Sequence, residues 1–294
     1  IQYHHSNDLR RFTIFDRGTK KNGPIIASEH VQNKMINIIE NFSETNYISK
    51  LILLHGPNGS GKSTTIESIT EALEEYSLTQ AGAIYRFNWI FPKEQESKGL
   101  SQNPNEPIGF SSEKKKETLR SYALLDSSKI TSRITSEFKE NPLYLLPLSH
   151  REKFLRTLLA KKQGTSPSQS KLPQHILQDA LSKTNRLIFE ALLNAYQGRL
   201  DLVFRHIQVE RFFFSRKYRM GISSVDPQMT IDAREQQLTL KQDYAHLPAA
   251  LQSLSFYQLS GELVEANRGI LEFSDLLKRP LESFKYLINT IESN

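Results

Sequence analysis

Between residues 56 and 63 the chain reads Gly56-Pro-Asn-Gly-Ser-Gly61-Lys62-Ser63, filling every fixed position of the pattern G-x-x-x-x-G-K-S/T. The glycines let the backbone turn tightly, so that successive N–H groups converge on one anion. The positive end of a following helix adds to the same field. A lysine at the penultimate position sets a fixed charge beside the β- and γ-phosphates of a nucleotide. The hydroxyl after it can ligate the Mg²⁺ that bridges those phosphates. Gly56, Pro57, Asn58, Gly59, Ser60, Gly61, Lys62, Ser63 and Thr64 are therefore the expected site for ATP with Mg²⁺. Ser63 is the metal ligand in this reading, and Thr64 meets the α-phosphate.

The flanks suit such a loop. Leu51-Ile-Leu-Leu54 is a short apolar run of the kind that forms a buried parallel strand, and Ser63 to Tyr76 continues as a helix. Upstream, Val31, Met35, Ile38, Ile39 and Phe42 recur at helical spacing across 29–42, with Ser28 as a possible N-cap. Downstream, Ala83 to Phe91 reads as the next strand. A loop follows over 92–112, and 113–160 reads as helix in pieces. Gln174 to Tyr196 reads as one amphipathic helix, Val203 to Val225 as strands, Gly269 to Phe273 as a short strand and Leu281 to Ile291 as a last helix. Strands alternating with helices predict an α/β fold built on a parallel sheet. Residues 1–27 read as an irregular segment before a nucleotide-binding core over 28–294. The run from Gln163 to Pro173 is the best linker and a candidate hinge.

Composition closes off other classes. With 38% hydrophobic and 24% charged residues the chain can bury a core, and without cysteine it holds neither disulfides nor thiolate metal sites. That usage fits a reducing, cytoplasmic setting. No run approaches the ~18 apolar residues of a membrane span. The net charge of +6 is scattered, and its densest run, Lys114-Lys115-Lys116, is flanked by Glu113 and Glu117, which argues against nucleic acid as a partner. Phe212-Phe213-Phe214 reads as a strand buried on both faces. A chain that starts at Ile1 without a signal-peptide pattern and stops at Asn294 reads as a portion of a longer protein.

A phosphate loop needs a second, acidic element at the end of another strand. The stretch from Ala266 to Glu282, with Gly269, Ile270, Leu271, Glu272, Phe273, Ser274, Asp275 and Pro280, is the candidate. It resembles the A-x-G-G-T-L-F-L-D-E-I…P stretch of AAA+ ATPases related to bacterial enhancer-binding activators and the MoxR group. On that resemblance Asp275 falls on the catalytic glutamate, while Ser274 stands where the pattern has its magnesium-coordinating aspartate. Glu272 and Asp275 should point to opposite faces of the strand, and either carboxylate could serve. Arg268, just before the strand, is the candidate for the arginine that reaches a neighbouring subunit's γ-phosphate in an AAA+ ring.

A closer resemblance runs through the second half. Arg205-His-Ile-Gln-Val-Glu-Arg211, Ser215-Arg-Lys-Tyr-Arg219, Val225-Asp-Pro-Gln228, Gly261-Glu-Leu-Val-Glu-Ala-Asn-Arg-Gly269 and Leu276-Leu-Lys-Arg-Pro280 are similar to the PrkA family. This family bears the name of serine protein kinases and has an AAA domain in its N-terminal part. The resemblance implies a P-loop sheet of AAA+ type with helical and β insertions, ATP and Mg²⁺ as cofactors, and a protein substrate or regulator as partner. It also implies a possible homo-oligomeric ring, and a kinase-like part and lid that lie outside this chain. A eukaryotic-type kinase needs H-R-D-x-x-x-x-N and D-F-G, whereas this chain offers only His150-Arg151-Glu152. The expected function is thus that of the ATP-binding AAA+ module of a PrkA-like serine protein kinase, which binds and hydrolyses Mg·ATP to drive or regulate action on a protein target. The alternative is a nucleotide-gated regulatory scaffold with little hydrolysis, motivated by Ser274.

Overall fold

The computed structural model describes residues 2–3, 9–26, 28–45, 51–93, 121–163, 172, 174–228, 234–237, 251 and 257–279. The predicted helix 281–291, most of the 92–112 loop, the Lys114–Lys116 run and nearly all of the 163–173 linker lie outside them.

The described residues among the first 27 are more ordered than their polarity suggests. Strand β1 (Gln2–Tyr3) pairs antiparallel with β2 (Arg10–Arg11), and the single turn α1 (Thr13–Asp16) follows. Phe12 and Phe15 are buried together with Met35 of helix α2 (Glu29–Thr45), and Ile14, Ile25, Ile39, Leu54 and Ile69 pack around them. Two aromatic residues in four positions suffice to dock a short segment that has no periodicity of its own. Polar contacts tie the same segment to helix α3 (Lys62–Leu78): Arg17 pairs with Glu75 at 2.7 Å and Asn22 donates to Glu67 at 3.0 Å.

The main core lies around β3 (Ile84–Pro92), which is flanked antiparallel by β4 (Ile130–Thr135) on one edge and β5 (Ile207–Phe212) on the other. Its Phe87, Trp89 and Phe91 share one face and are buried with Ile134, Leu145, Ile188, Leu192, Val203 and Leu251. Emptying a buried aromatic site of this kind costs about 3–5 kcal/mol. Strand β4 falls inside 113–160, where helix was expected. Its six residues ITSRIT are dominated by β-branched side chains, whose stiffness favours a strand when a partner edge is available.

Helix α4 (Leu148–Gln163) precedes α5 (Gln174–Gln178) and α6 (Lys183–Ala195), so the single helix expected over 174–196 is broken. The break has a local cause. Ser182 caps α6 by accepting from the Asn185 N–H, while Arg151 donates to the carbonyls of Ile176 and Asp179 at 2.9 and 2.7 Å. After α7 (Leu200–Phe204) and β5 the chain turns through a Ser215–Met220 bridge into β6 (Ile222–Val225). The short pair β7 (Arg234–Gln237) and β8 (Tyr257–Ser260) is antiparallel. One turn, α8 (Glu262–Glu265), leads into β9 (Ile270–Phe273), which pairs parallel with β6.

The molecule is thus a mixed α/β structure. Among the described residues the parallel pairing is confined to β6 and β9, and the larger three-stranded sheet is antiparallel. The expected strand at Leu51–Leu54 is not formed. Residues 51–57 have no regular structure, Leu53 is 62% exposed, and only Leu54 joins a core cluster. An apolar run becomes a strand only when its N–H and C=O groups meet a neighbouring ladder, and no described strand pairs with it.

Candidate functional site

Two groups of sequence-predicted residues lie at different places in this fold. The first is the glycine loop. Gly59 and Gly61 adopt left-handed backbone, with φ of 82° and 78°, a region that residues with a Cβ adopt only under strain. Gly61 is the N-cap of α3 and provides no side chain to cap it. The bonds closest to the loop run from the Ser60 N–H to the Pro57 carbonyl at 3.3 Å and from the Thr65 N–H to the Gly61 carbonyl at 2.8 Å. The N–H groups of Gly59, Gly61, Lys62, Ser63 and Thr64 meet no acceptor among the described residues. Orphan donors at the start of a helix of 17 residues make a donor array suited to an anion.

Lys62 lies over the same loop. Its ammonium donates to the carbonyls of Gly56 at 2.8 Å and Pro57 at 2.7 Å. These bonds are within the loop itself, so the charge stands beside the orphan N–H groups. Ser63 is exposed and Thr64 half-buried, while the next hydroxyl, Thr65, is buried and donates back to the Gly61 carbonyl at 2.8 Å. Neutral donors, an ammonium and an exposed hydroxyl form a set that fits a polyphosphate and a hard divalent cation.

The second group surrounds β9. Ser224 on β6 stands in parallel register with Glu272 on β9, and its hydroxyl donates to the Glu272 carboxylate at 2.9 Å. The Arg216 guanidinium meets the same oxygen at 2.6 Å, leaving the glutamate side chain 11% exposed. The strand stops at Phe273, although the Ser274 N–H still reaches the Val225 carbonyl at 3.1 Å. Asp275 then takes left-handed backbone, φ 43°, and its side chain, 62% exposed, pairs with Lys278 at 2.7 Å. The two carboxylates therefore differ in kind: one is held, the other is open to solvent. Close passage of β9 beside its neighbour requires Gly269, where an added Cβ would lie 1.7 Å from the Gly221 carbonyl oxygen.

Arg268 is engaged within its own chain. It donates to the carbonyls of Tyr85 at 2.8 Å and Lys139 at 2.7 Å, and it covers the Phe212 ring at 5.3 Å. The phenylalanine run also differs from its reading as a doubly buried strand. Phe212 and Phe214 are buried, but Phe213 faces outward beneath the Arg211 guanidinium at 4.8 Å, as strand alternation requires.

Several groups escaped the sequence reading. Lys139 is buried and donates to the carbonyls of Val264 and Glu265 at 3.0 and 2.9 Å. Burial is the main force bringing its ammonium down to about 8. Arg86 and Arg268 push the same way and Glu265 opposes them. Arg151, from the tripeptide that fails as a kinase loop, is a buried staple for four carbonyls. Glu140, Asn185, Ser136 and the Trp89 indole form one buried polar network. Local sequence does not mark these residues, because partners such as Val264 for Lys139, Asp179 for Arg151 and Asn185 for Trp89 lie far along the chain.

No hydrogen bond or ion pair among the described residues joins residues 56–64 directly to Glu272 or Asp275. No described group of three or more His, Cys, Asp or Glu could hold a metal ion by itself, and no described helix is long and apolar enough to cross a membrane.

Compared with known proteins, a family described as the PrkA AAA domain matches residues 112–294, more than half of the chain and entirely downstream of the glycine loop. The chain is also similar to an ATP-dependent protease PrkA of Bacillus subtilis (strain 168). Identity is 26% over 231 residues, covering 78% of this chain and 26% of that protein. The chain thus matches a minor part of that relative's length. No solved structure matches it.

Proposed function

We propose, for a chain that belongs to the PrkA AAA domain family, that it binds Mg·ATP at residues 56–64 and hydrolyses it to drive or regulate action on a protein target. The observation that carries this reading is the uncapped start of α3, where five orphan N–H groups stand beside the Lys62 ammonium. The N–H groups of Gly59, Gly61, Lys62, Ser63 and Thr64 donate to phosphate oxygens. Lys62 would hold the β- and γ-phosphates in place of its carbonyl partners, and the Ser63 hydroxyl would hold Mg²⁺. Bound Mg²⁺ supplies neutralisation of the charge that develops on the β- and γ-oxygens. Asp275, the exposed carboxylate, orients the attacking water, while Glu272 holds the strand.

The fold in this reading is a P-loop sheet of AAA+ type with helical and β insertions, able to assemble as a homo-oligomer. The relative's name couples ATP to proteolysis, so the output of the whole protein is read as remodelling or delivery of a protein. The serine kinase activity expected from the resemblance has no support in that name. A second reading, a nucleotide-gated scaffold with little hydrolysis, is favoured by Ser274 at the expected aspartate position and by the engagement of Glu272 with Arg216.

Titration of the chain with a non-hydrolysable ATP analogue and Mg²⁺, beside Lys62→Ala, tests the reading. Wild-type saturation with loss of binding in the variant is expected. Equal affinity in a folded variant would sink the assignment.

A further inference from the structure

Arg216 is the residue through which the glycine-loop helix and the acidic strand are joined. Its backbone N–H donates to the Glu74 carboxylate on α3 at 2.6 Å, and its guanidinium reaches Glu272 on β9 at 2.6 Å and the Ser224 hydroxyl on β6 at 3.3 Å. Three further bonds fix the same segment to α3 and its C-cap residue. The Phe214 N–H donates to the Ser77 hydroxyl at 3.1 Å, and Arg211 donates to the carbonyls of Ser77 and Thr79 at 2.8 and 2.6 Å. The turn is closed by the two backbone bonds between Ser215 and Met220, each 2.9 Å. Apolar packing runs alongside, with Leu73 of α3 against Phe212, Phe214 and Ile222.

We propose that Arg216 is a positioning residue that couples occupancy of the glycine loop to the placement of the acidic strand. The inference rests on the nucleotide-binding reading above. Glu74 stands about three helical turns from Lys62, roughly 18 Å along α3. A helix transmits displacement along that length as a rigid element, whereas a loop would not. Movement at the start of α3 therefore reaches Arg216 through Glu74 and Ser77, and reaches β9 through the guanidinium. Neutralisation of Glu272 is the second consequence. A carboxylate so little exposed would repel a second acid nearby, and its pairing leaves Asp275, held only by the exposed Lys278, as the solvent-accessible acid at the strand end. One guanidinium nitrogen, Nη2, meets both the carboxylate on β9 and the hydroxyl on β6.

The experiment compares wild type, Arg216→Met, Arg216→Lys and the double variant Arg216→Met/Glu272→Gln. Readouts are affinity for the ATP analogue with Mg²⁺, steady-state turnover and thermal stability. Arg216→Met strands a covered carboxylate, so its stability should fall. The double variant removes that charge and should recover stability. If Arg216 couples the two motifs, turnover stays about tenfold or more below wild type in the double variant while affinity changes little. Arg216→Lys, which keeps the charge as a more strongly hydrated ammonium on a shorter side chain, should recover only part of the turnover. Turnover that returns with stability in the double variant would overturn the coupling role and leave Arg216 as a structural residue. Wild-type protein that binds no Mg·ATP would instead overturn the underlying nucleotide reading, and this inference with it.

Discussion

Acid should unfold this protein through a single buried imidazole. His206 is 3% exposed, enclosed by the rings of Phe91, Tyr122 and Tyr196. Its Nδ1 stands 2.8 Å from the Ile90 carbonyl, which can only accept, so that nitrogen bears the proton. Nε2 is then left to accept from the Tyr196 hydroxyl at 2.7 Å. A second proton would place a charge among aromatic rings with no anion to meet it. Burial accordingly pushes the ring from its usual 6.5 down to about 4, against the upward pull of the Ile90 bond. Because the unfolded chain takes up this proton first, stability is complete above pH 6.5 and is lost as pH falls from there towards 4. Linkage puts the loss at about 1.4 kcal/mol at pH 5.5 and about 3 kcal/mol at pH 4. Urea denaturation of wild type and His206→Gln at several pH values isolates this contribution, since the carboxylates titrate alike in both. The wild type should lose that much more stability than the variant across the window. A constant difference between them, or an imidazole that titrates above pH 6 by NMR, would refute the reasoning.

Two further outcomes concern the candidate site. Ser63→Ala should weaken analogue binding mainly when Mg²⁺ is present, and an equal loss in EDTA would remove its role as metal ligand. Asp275→Asn should lower hydrolysis at least about tenfold with binding nearly intact, because it acts on the attacking water, whereas Glu272→Gln should do less. Steady-state turnover beside equilibrium binding checks both, and the reverse order would move the reactive acid from Asp275 to Glu272.

What the sequence determined by itself is local. The left-handed turns at Gly59 and Gly61 and the helix that begins at Lys62 follow from residue types within a few positions of one another. So do α2, whose apolar spacing is helical, and the strand ending at Phe273. Tertiary structure decided whatever needed a distant partner. Leu51–Leu54 has the composition of a buried strand, yet it stays irregular because composition cannot provide a ladder. Strand β4 arose where helix was expected because β3 offered it an edge. Phe12 and Phe15 ordered a segment that reads as irregular because Met35 lay across from them. The acidic strand shows the division most clearly. Glu272 and Asp275 are three residues apart and equally acidic in the sequence. Only the fold brings Arg216, 56 residues away, and Ser224 onto one carboxylate and leaves the other exposed beside Lys278. A carboxylate's character is set by the charges and solvent around it, and those are properties of three-dimensional neighbours.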